Sequence, residues 1–373
     1  MHVSTTKESL AAPLGLVSGA ADTRGTVPML GTVLLKATGG KLSMLCSDTG
    51  VLARALSTCE VKGEGEIAVD VRRFHDLIRA VPEKQPLELS LEDKGSLLVK
   101  SGRSRFRLPT HPAAEYPRME PKKDNRVSIT IDSKRLLDMI DQVAPAMADA
   151  DIRAYLNAML FTLSEGRLWI VATDGHRMGV ASEVIAGSES IQKTEVIVPR
   201  KTALLARKLL TQGGDVKLTL GASDFQLTFG DGTVLLGKSI DGSFPDWKRV
   251  IPSGGNTATL DPKRLRDGLA MVDAMIEDGG KKDMKGRCIE VTFGKGSVTL
   301  QRTDSARCEV DAVSEVEAPV TIGVNINYLA DAVSAIGEGA EGISLSFTDL
   351  QKPITVRLQG AEYPLVVVMP MRV

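Results

Sequence analysis

An α+β fold of three similar domains in tandem is what this sequence predicts, and three observations predict it. The first is an internal repeat. A Ser/Thr-Asp pair closes a strand pattern three times, at Asp48, Asp174 and Asp304, with spacings of 126 and 130 residues. Leu10, Leu136 and Leu265 are spaced by 126 and 129, Val69, Val198 and Val324 by 129 and 126, and Gly102, Gly230 and Gly360 by 128 and 130. Four landmarks in one order and phase define three copies of about 125 residues, which divide the chain at 1–126, 127–256 and 257–373. The second observation is patterning. Segments with apolar and polar residues alternating outnumber those with helical periodicity, which points to antiparallel sheet. The third is size and composition. A chain of 373 residues exceeds one ordinary core, and 43% hydrophobic with 25% charged residues is a soluble globular composition.

Each copy repeats one order of elements. A helix opens it, over 6–19, 132–147 and 261–276, with Thr6, Asp132 and Asp261 as N-caps and Pro262 suited to the first turn. Strands follow. A second helix, over 70–82, 199–212 and 325–336, stands in mid-copy. The late hairpins LELSLEDKGSLLVKSGRSRFRL, VKLTLGASDFQLTFGDGTVLLG and ISLSFTDLQKPITVRLQG carry Gly, Asp and Pro at their turns. The turn-rich stretches RMEPKKDNRV (118–127) and KRVIPSGGNT (248–257) link the copies, and EDGGKKDMKG (277–286) is a polar loop.

Composition also excludes function classes. No apolar run approaches the ~20 residues that span a bilayer, and the N-terminal MHVSTTKESLAAPLGL lacks the pattern of a secretory signal, so no membrane role is expected. Cys46, Cys59, Cys288 and Cys308 form no Cys-x-x-Cys pair; they read as reduced thiols, mostly buried, in a cytoplasmic protein without a structural metal. The net charge of −1 names no partner. Locally, the helix over 199–212 holds four cations and no anion. A 100° step places Arg200, Lys201, Arg207 and Lys208 on one arc and Ala203, Leu205, Ala206, Leu209 and Leu210 on the other. In the helix over 70–82, Arg72 and Arg79 oppose Phe74, Leu77, Ile78 and Val81. Such arcs are either ordinary solvated helix faces or surfaces apposed to nucleic-acid phosphates.

Two motifs invite a catalytic reading. VATDGHRM (171–178) brings Asp174, His176 and Arg177 together after an apolar run. The other copies read CSDTGV and RTDSAR without the histidine. The common Ser/Thr-Asp is therefore a strand-end turn whose side chains bond local backbone. No Gly-x-Ser-x-Gly or His-Glu-x-x-His accompanies it, although a hydrolase using Asp174 and His176 is the competing class. GTVLLGKS (232–239) fits the phosphate-loop spacing, but its intervening residues are a strand sequence and IDGSFPDW follows where a helix is needed.

DIRAYLNAMLF (151–161), VATDGHRM, IDGSFPDWKRVIP (240–252), SGRSRFRLP (101–109) and VVMPMRV (367–373) together resemble the bacterial DNA polymerase III beta subunit family, the replicative sliding clamps, over the whole chain. The resemblance implies three clamp domains per chain and a head-to-tail homodimeric ring, with helices lining the hole and antiparallel sheets outside. It implies no catalysis, cofactor or metal. Expected partners are double-stranded DNA of any sequence, the DNA polymerase III alpha subunit, the clamp loader delta subunit, and other polymerases and repair proteins carrying clamp-binding peptides.

By the same resemblance, Leu156, Thr173, Gly175, His176, Arg177, Met178, Pro245, Arg249, Val250, Thr355, Val367, Val368, Met369, Pro370, Met371 and Arg372 form the peptide pocket. Methionines suit such a floor because they adapt to varied ligands, and Met178 stands where leucine is common in the family. Arg24, Arg72, Arg73, Arg200 and Lys201 face the DNA, and Phe106, Ala274 and Met275 meet across the ring interface. Ala274 is smaller than the family's usual aliphatic there.

Overall fold

The computed structural model describes all residues except 93–94, 123–125, 277–284, 305 and 373. Most of the 277–286 loop thus lies outside the described residues. The six helices fall where periodicity put them: α1 (Lys7–Val17), α2 (Val71–Ala80), α3 (Ser133–Val143), α4 (Arg200–Leu210), α5 (Pro262–Ala274) and α6 (Ile326–Gly337). The expected caps close them. Thr6 Oγ1 accepts from the Ser9 amide, Asp132 from that of Arg135, and Asp261 from those of Lys263 and Arg264. Each bond satisfies an amide that has no partner inside the first helical turn.

The strands form antiparallel sheets of thirteen, nine and four strands among the described residues. They sort into two compact units, Met1–Leu136 with Val198–Ile240, and Leu137–Ile197 with Asp241–Val373. Hydrogen bonding explains why these units do not follow the sequence repeat. In the first unit, strand Val234–Lys238 of the second copy pairs with Val51–Thr58 of the first. In the second unit, Arg177–Val184 of the second copy pairs with Leu365–Val368 of the third. Each half of copy two thus completes a neighbour's sheet. The GTVLLGKS stretch contributes strand Val234–Lys238, bonded on both sides to other strands, and makes no phosphate loop.

Within the first unit, α1 buries Leu10, Leu14 and Val17, α2 buries Phe74 and Ile78, and α4 buries Ala203, Leu205, Ala206, Leu209 and Leu210. The apolar arc of α4 is the one read from the sequence. In the second unit, α5 and α6 cover a core where Phe293 and Phe347 stack at 3.7 Å. Cys46 and Cys288 are buried, Cys59 and Cys308 are half-buried, and all four are free thiols.

Two of the three repeated aspartates hold turns among the described residues. Asp48 Oδ1 accepts from the amides of Gly50 (2.9 Å) and Val51 (2.7 Å), and Asp174 Oδ1 from those of His176 (2.9 Å) and Arg177 (3.0 Å). The third turn runs through residue 305, outside the described residues.

Candidate functional site

The second unit holds a cavity of about 260 Å³ at the end of strand Arg167–Thr173. The turn that follows builds one wall. Thr173 Oγ1 donates to the Arg177 carbonyl (2.7 Å) and accepts from the Gly175 amide (3.1 Å). Gly175 has φ 87°, a left-handed conformation that L side chains rarely adopt, and any Cβ there would lie 3.6 Å from the Arg153 guanidinium. The chain then returns as strand Arg177–Val184, where Met178 pairs with Val367. Leu156, Met178 and Val367 form a buried apolar floor, and Val250 (43% exposed) and Met369 (37% exposed) form its lip.

Asp174 is fully engaged in holding this wall. Besides the two amides, its Oδ2 accepts from Arg177 Nε at 3.0 Å. Arg177 Nη1 donates to Asp331 of α6 at 2.5 Å, and its guanidinium carbon sits 4.5 Å from the centre of the Tyr328 ring. This arginine is a clamped wall, not a free anion hook. The His176 imidazole stacks on Tyr328 with centroids 6.2 Å apart. It is the histidine's backbone, not its ring, that meets Asp174, so the carboxylate–imidazole pair a hydrolase needs is not formed. Among the described residues no group of three His, Cys, Asp or Glu side chains is placed to hold a metal.

Of the sixteen pocket residues expected, Leu156, Thr173, Gly175, Arg177, Met178, Pro245, Val250, Val367 and Met369 line the cavity. His176, Arg249 and Arg372 are exposed and outside its wall, and Pro370 and Met371 are half-buried beyond it. Val368 lies in the core, and Thr355 is buried opposite Val367 in the neighbouring strand, so neither reaches the cavity surface. The tail is fixed by its backbone, with the Met369 amide on the His176 carbonyl (2.9 Å) and the Met371 amide on that of Gly323 (2.8 Å). Arg153, Tyr155, Phe244 and Trp247 also line the cavity. All four lie in the stretches DIRAYLNAMLF and IDGSFPDWKRVIP; their signal was the bulk of these side chains beside the residues already singled out.

Arg24, Arg72 and Arg73 are exposed on the first unit, with Arg72 Nη2 donating to Thr23 Oγ1 at 2.6 Å. Arg200 is half-buried and has a partner of its own. Lys201 differs from a free phosphate contact. Its ammonium donates to Asp48 Oδ2 (2.6 Å) and to the carbonyls of Ala20 and Ala21 (both 3.2 Å). All three of its donors are used within the chain. Phe106 is 41% exposed on strand Ser104–His111 of the first unit, and Met275 is 59% exposed beside an exposed Ala274 at the end of α5 in the second. No helix among the described residues is long and apolar enough to cross a membrane.

Repeated α+β domains and an adaptable apolar cavity, walled by a turn to which its carboxylate is committed, are the features of a docking scaffold. Comparison with known proteins makes the class specific. Family models of the N-terminal, central and C-terminal domains of the DNA polymerase III beta subunit match residues 1–120, 130–246 and 248–372. The chain is 34% identical to the beta sliding clamp of Pseudomonas aeruginosa over 378 residues and 30% identical to that of Escherichia coli K12 over 379, covering all of each chain. The solved structure of the P. aeruginosa DNA polymerase III subunit beta superposes with a TM-score of 0.91 at 32% identity, and that of Caulobacter crescentus with 0.87 at 30%, both over the full length of each chain. The chain belongs to the DNA polymerase III beta subunit family, the bacterial beta sliding clamps, which are non-catalytic replication factors.

Proposed function

We propose that two copies of this chain close head to tail into a ring around duplex DNA in the bacterial cytoplasm. The repeats 1–126, 127–256 and 257–373 are its building blocks. The cavity of the second unit then receives short peptides from the DNA polymerase III alpha subunit, the clamp loader delta subunit and other polymerases and repair proteins. The observation that carries the reading is this apolar cavity, where the 173–178 turn meets Val367 and Met369, in a chain of the clamp family. Basic side chains on the helices hold the duplex by enclosure with weak contacts, and DNA is free to slide. The interface is formed by Phe106 of one copy and by Ala274 and Met275 of the other; two complementary surfaces per chain close a finite ring.

A peptide with Leu and Phe anchors gains roughly 1.5–3 kcal/mol for each anchor fully buried. Ordering and association costs offset much of that, which sets an expected affinity near the micromolar range. Calorimetry with such a peptide tests the pocket against a chain lacking residues 369–373. The truncated protein should lose peptide binding and keep the solution mass of the dimer. Undiminished binding by the truncated dimer overturns the assignment of the cavity.

A further inference from the structure

A second groove, of about 260 Å³, flanks the proposed peptide pocket. The segment Phe244–Trp247 separates the two and lines both. Trp169 lies in the groove wall, and Thr173, in the pocket wall, is four positions further along the same strand. Period-two geometry puts both side chains on one sheet face, about 13 Å apart. An extended peptide covers that distance in about four residues. The groove is therefore within reach of any chain docked in the pocket.

The first copy provides an internal comparison. Its own groove, of about 250 Å³, is built from corresponding positions: Leu34 and Glu66 stand where copy two has Leu160 and Glu195, and Tyr116-Pro117 where it has Phe244-Pro245. The groove is thus a product of the repeat, and what distinguishes copy two is its chemistry. Ser43 is replaced by Trp169, Met119 by Trp247, Glu120 by Lys248 and Arg118 by Asp246, so that the positive charge moves from before the apolar residue to after it, over the indoles. The two indoles pack at 5.5 Å, and the Lys248 ammonium lies 5.6 Å from each ring. Glu195 is paired with Lys193 at 2.7 Å, whereas Lys248 has no carboxylate partner among the described residues. An exposed ammonium over two aromatic faces, in a groove that adjoins a peptide pocket across the Phe244–Trp247 wall, is complementary to a carboxylate.

We propose that this groove is a second peptide subsite, in which Lys248, backed by Trp169 and Trp247, receives an acidic side chain of the same partner peptide about four residues from its apolar anchor. The proposal rests on the peptide-pocket reading. Its test compares Leu-Phe-anchored peptides carrying Glu or Gln at about four residues before or after the anchor, alongside the unextended parent. At low salt, Glu at one of the two flanks should bind about three- to fivefold tighter than Gln, and raised salt should erase the difference. Lys248→Gln, and Trp169→Ser as the residue copy one already carries, should remove the gain while the parent peptide binds as before. No advantage of Glu at either flank, or an advantage that survives Lys248→Gln, overturns the subsite. A parent peptide that fails to bind overturns the pocket reading itself and the subsite with it.

Discussion

Met275→Asp is the most direct probe of the ring. Met275 caps the C-terminal end of α5 with 59% of its surface exposed, and Met271, four residues earlier on the same helix face, is 58% exposed. Two large apolar side chains side by side on one helix end are unusual on a free surface. Fully burying a methionine is worth about 1.5–3 kcal/mol, and 59% of that surface still awaits a partner. Covering it contributes about 0.9–1.8 kcal/mol at each interface, or about 1.8–3.5 kcal/mol over the two interfaces of a closed dimer. Losing it weakens the dimer roughly 20- to 400-fold, before the added cost of desolvating a carboxylate. Sedimentation velocity over a concentration series should show the unmodified chain near twice 39.9 kDa and Met275→Asp largely monomeric at micromolar concentration. Phe106→Asp should produce the same shift. The two changes together should add little, since each disrupts the same contact. A dimer fraction unaltered by Met275→Asp refutes the placement of the interface.

Three further outcomes follow from the geometry. Lys201→Ala should cost about 1 kcal/mol of stability in urea unfolding, because it strips Asp48 of a charged partner. Arg73→Ala, whose side chain is exposed, should leave unfolding unchanged and lower the salt slope of retention on DNA by about one contact; the reverse pattern would mean that Lys201 is the DNA ligand. At the pocket rim, the Arg153 guanidinium and amide hold the Asp151 carboxyl down to about 2. A depressed pKa means the ion pair is present above the ordinary carboxylate range and is lost only as pH falls through about 2. An NMR titration of the Asp151 carboxyl carbon should find its midpoint there, and a midpoint near the unperturbed value of about 4 would contradict the pairing.

What the sequence made legible was local. Helix positions follow from 3.6-residue periodicity and from caps three residues away, as at Thr6 and Asp261. The Asp174 turn could be read from its recurrence without the histidine, because a carboxylate two residues before an amide bonds backbone whatever side chain comes next. Long-range pairings were not legible. Nothing near Lys201 announces that Asp48, Ala20 and Ala21 will take its three donors. Phe244 and Trp247 lie in a stretch with neither helical nor strand period, so no pattern assigned them a face. Copy two's division between two sheets was hidden for a related reason. The repeat specifies what each strand looks like, and edge-to-edge pairing of Val234–Lys238 with Val51–Thr58 is written in backbone groups that every sequence shares.

The same distinction bears on how a clamp of this sequence meets DNA. Counted as letters, α4 is the most basic helix among the described residues, with four cations and no anion. Counted as available donors it is much less so. Lys201 is tied to Asp48 and two carbonyls, Lys208 donates to the Gly15 carbonyl, and Arg200 and Arg207 have partners within the chain. Phosphate affinity scales with the number of cations that release counterions from the duplex, and each engaged cation must first give up a bond. In the proposed ring, a helix whose cations already have partners within the chain would offer a positive lining without a tight grip. If the proposed ring encircles DNA, that is the useful combination: the net charge of −1 and the internally paired lysines both act against sticking, and topology would supply the retention that affinity does not.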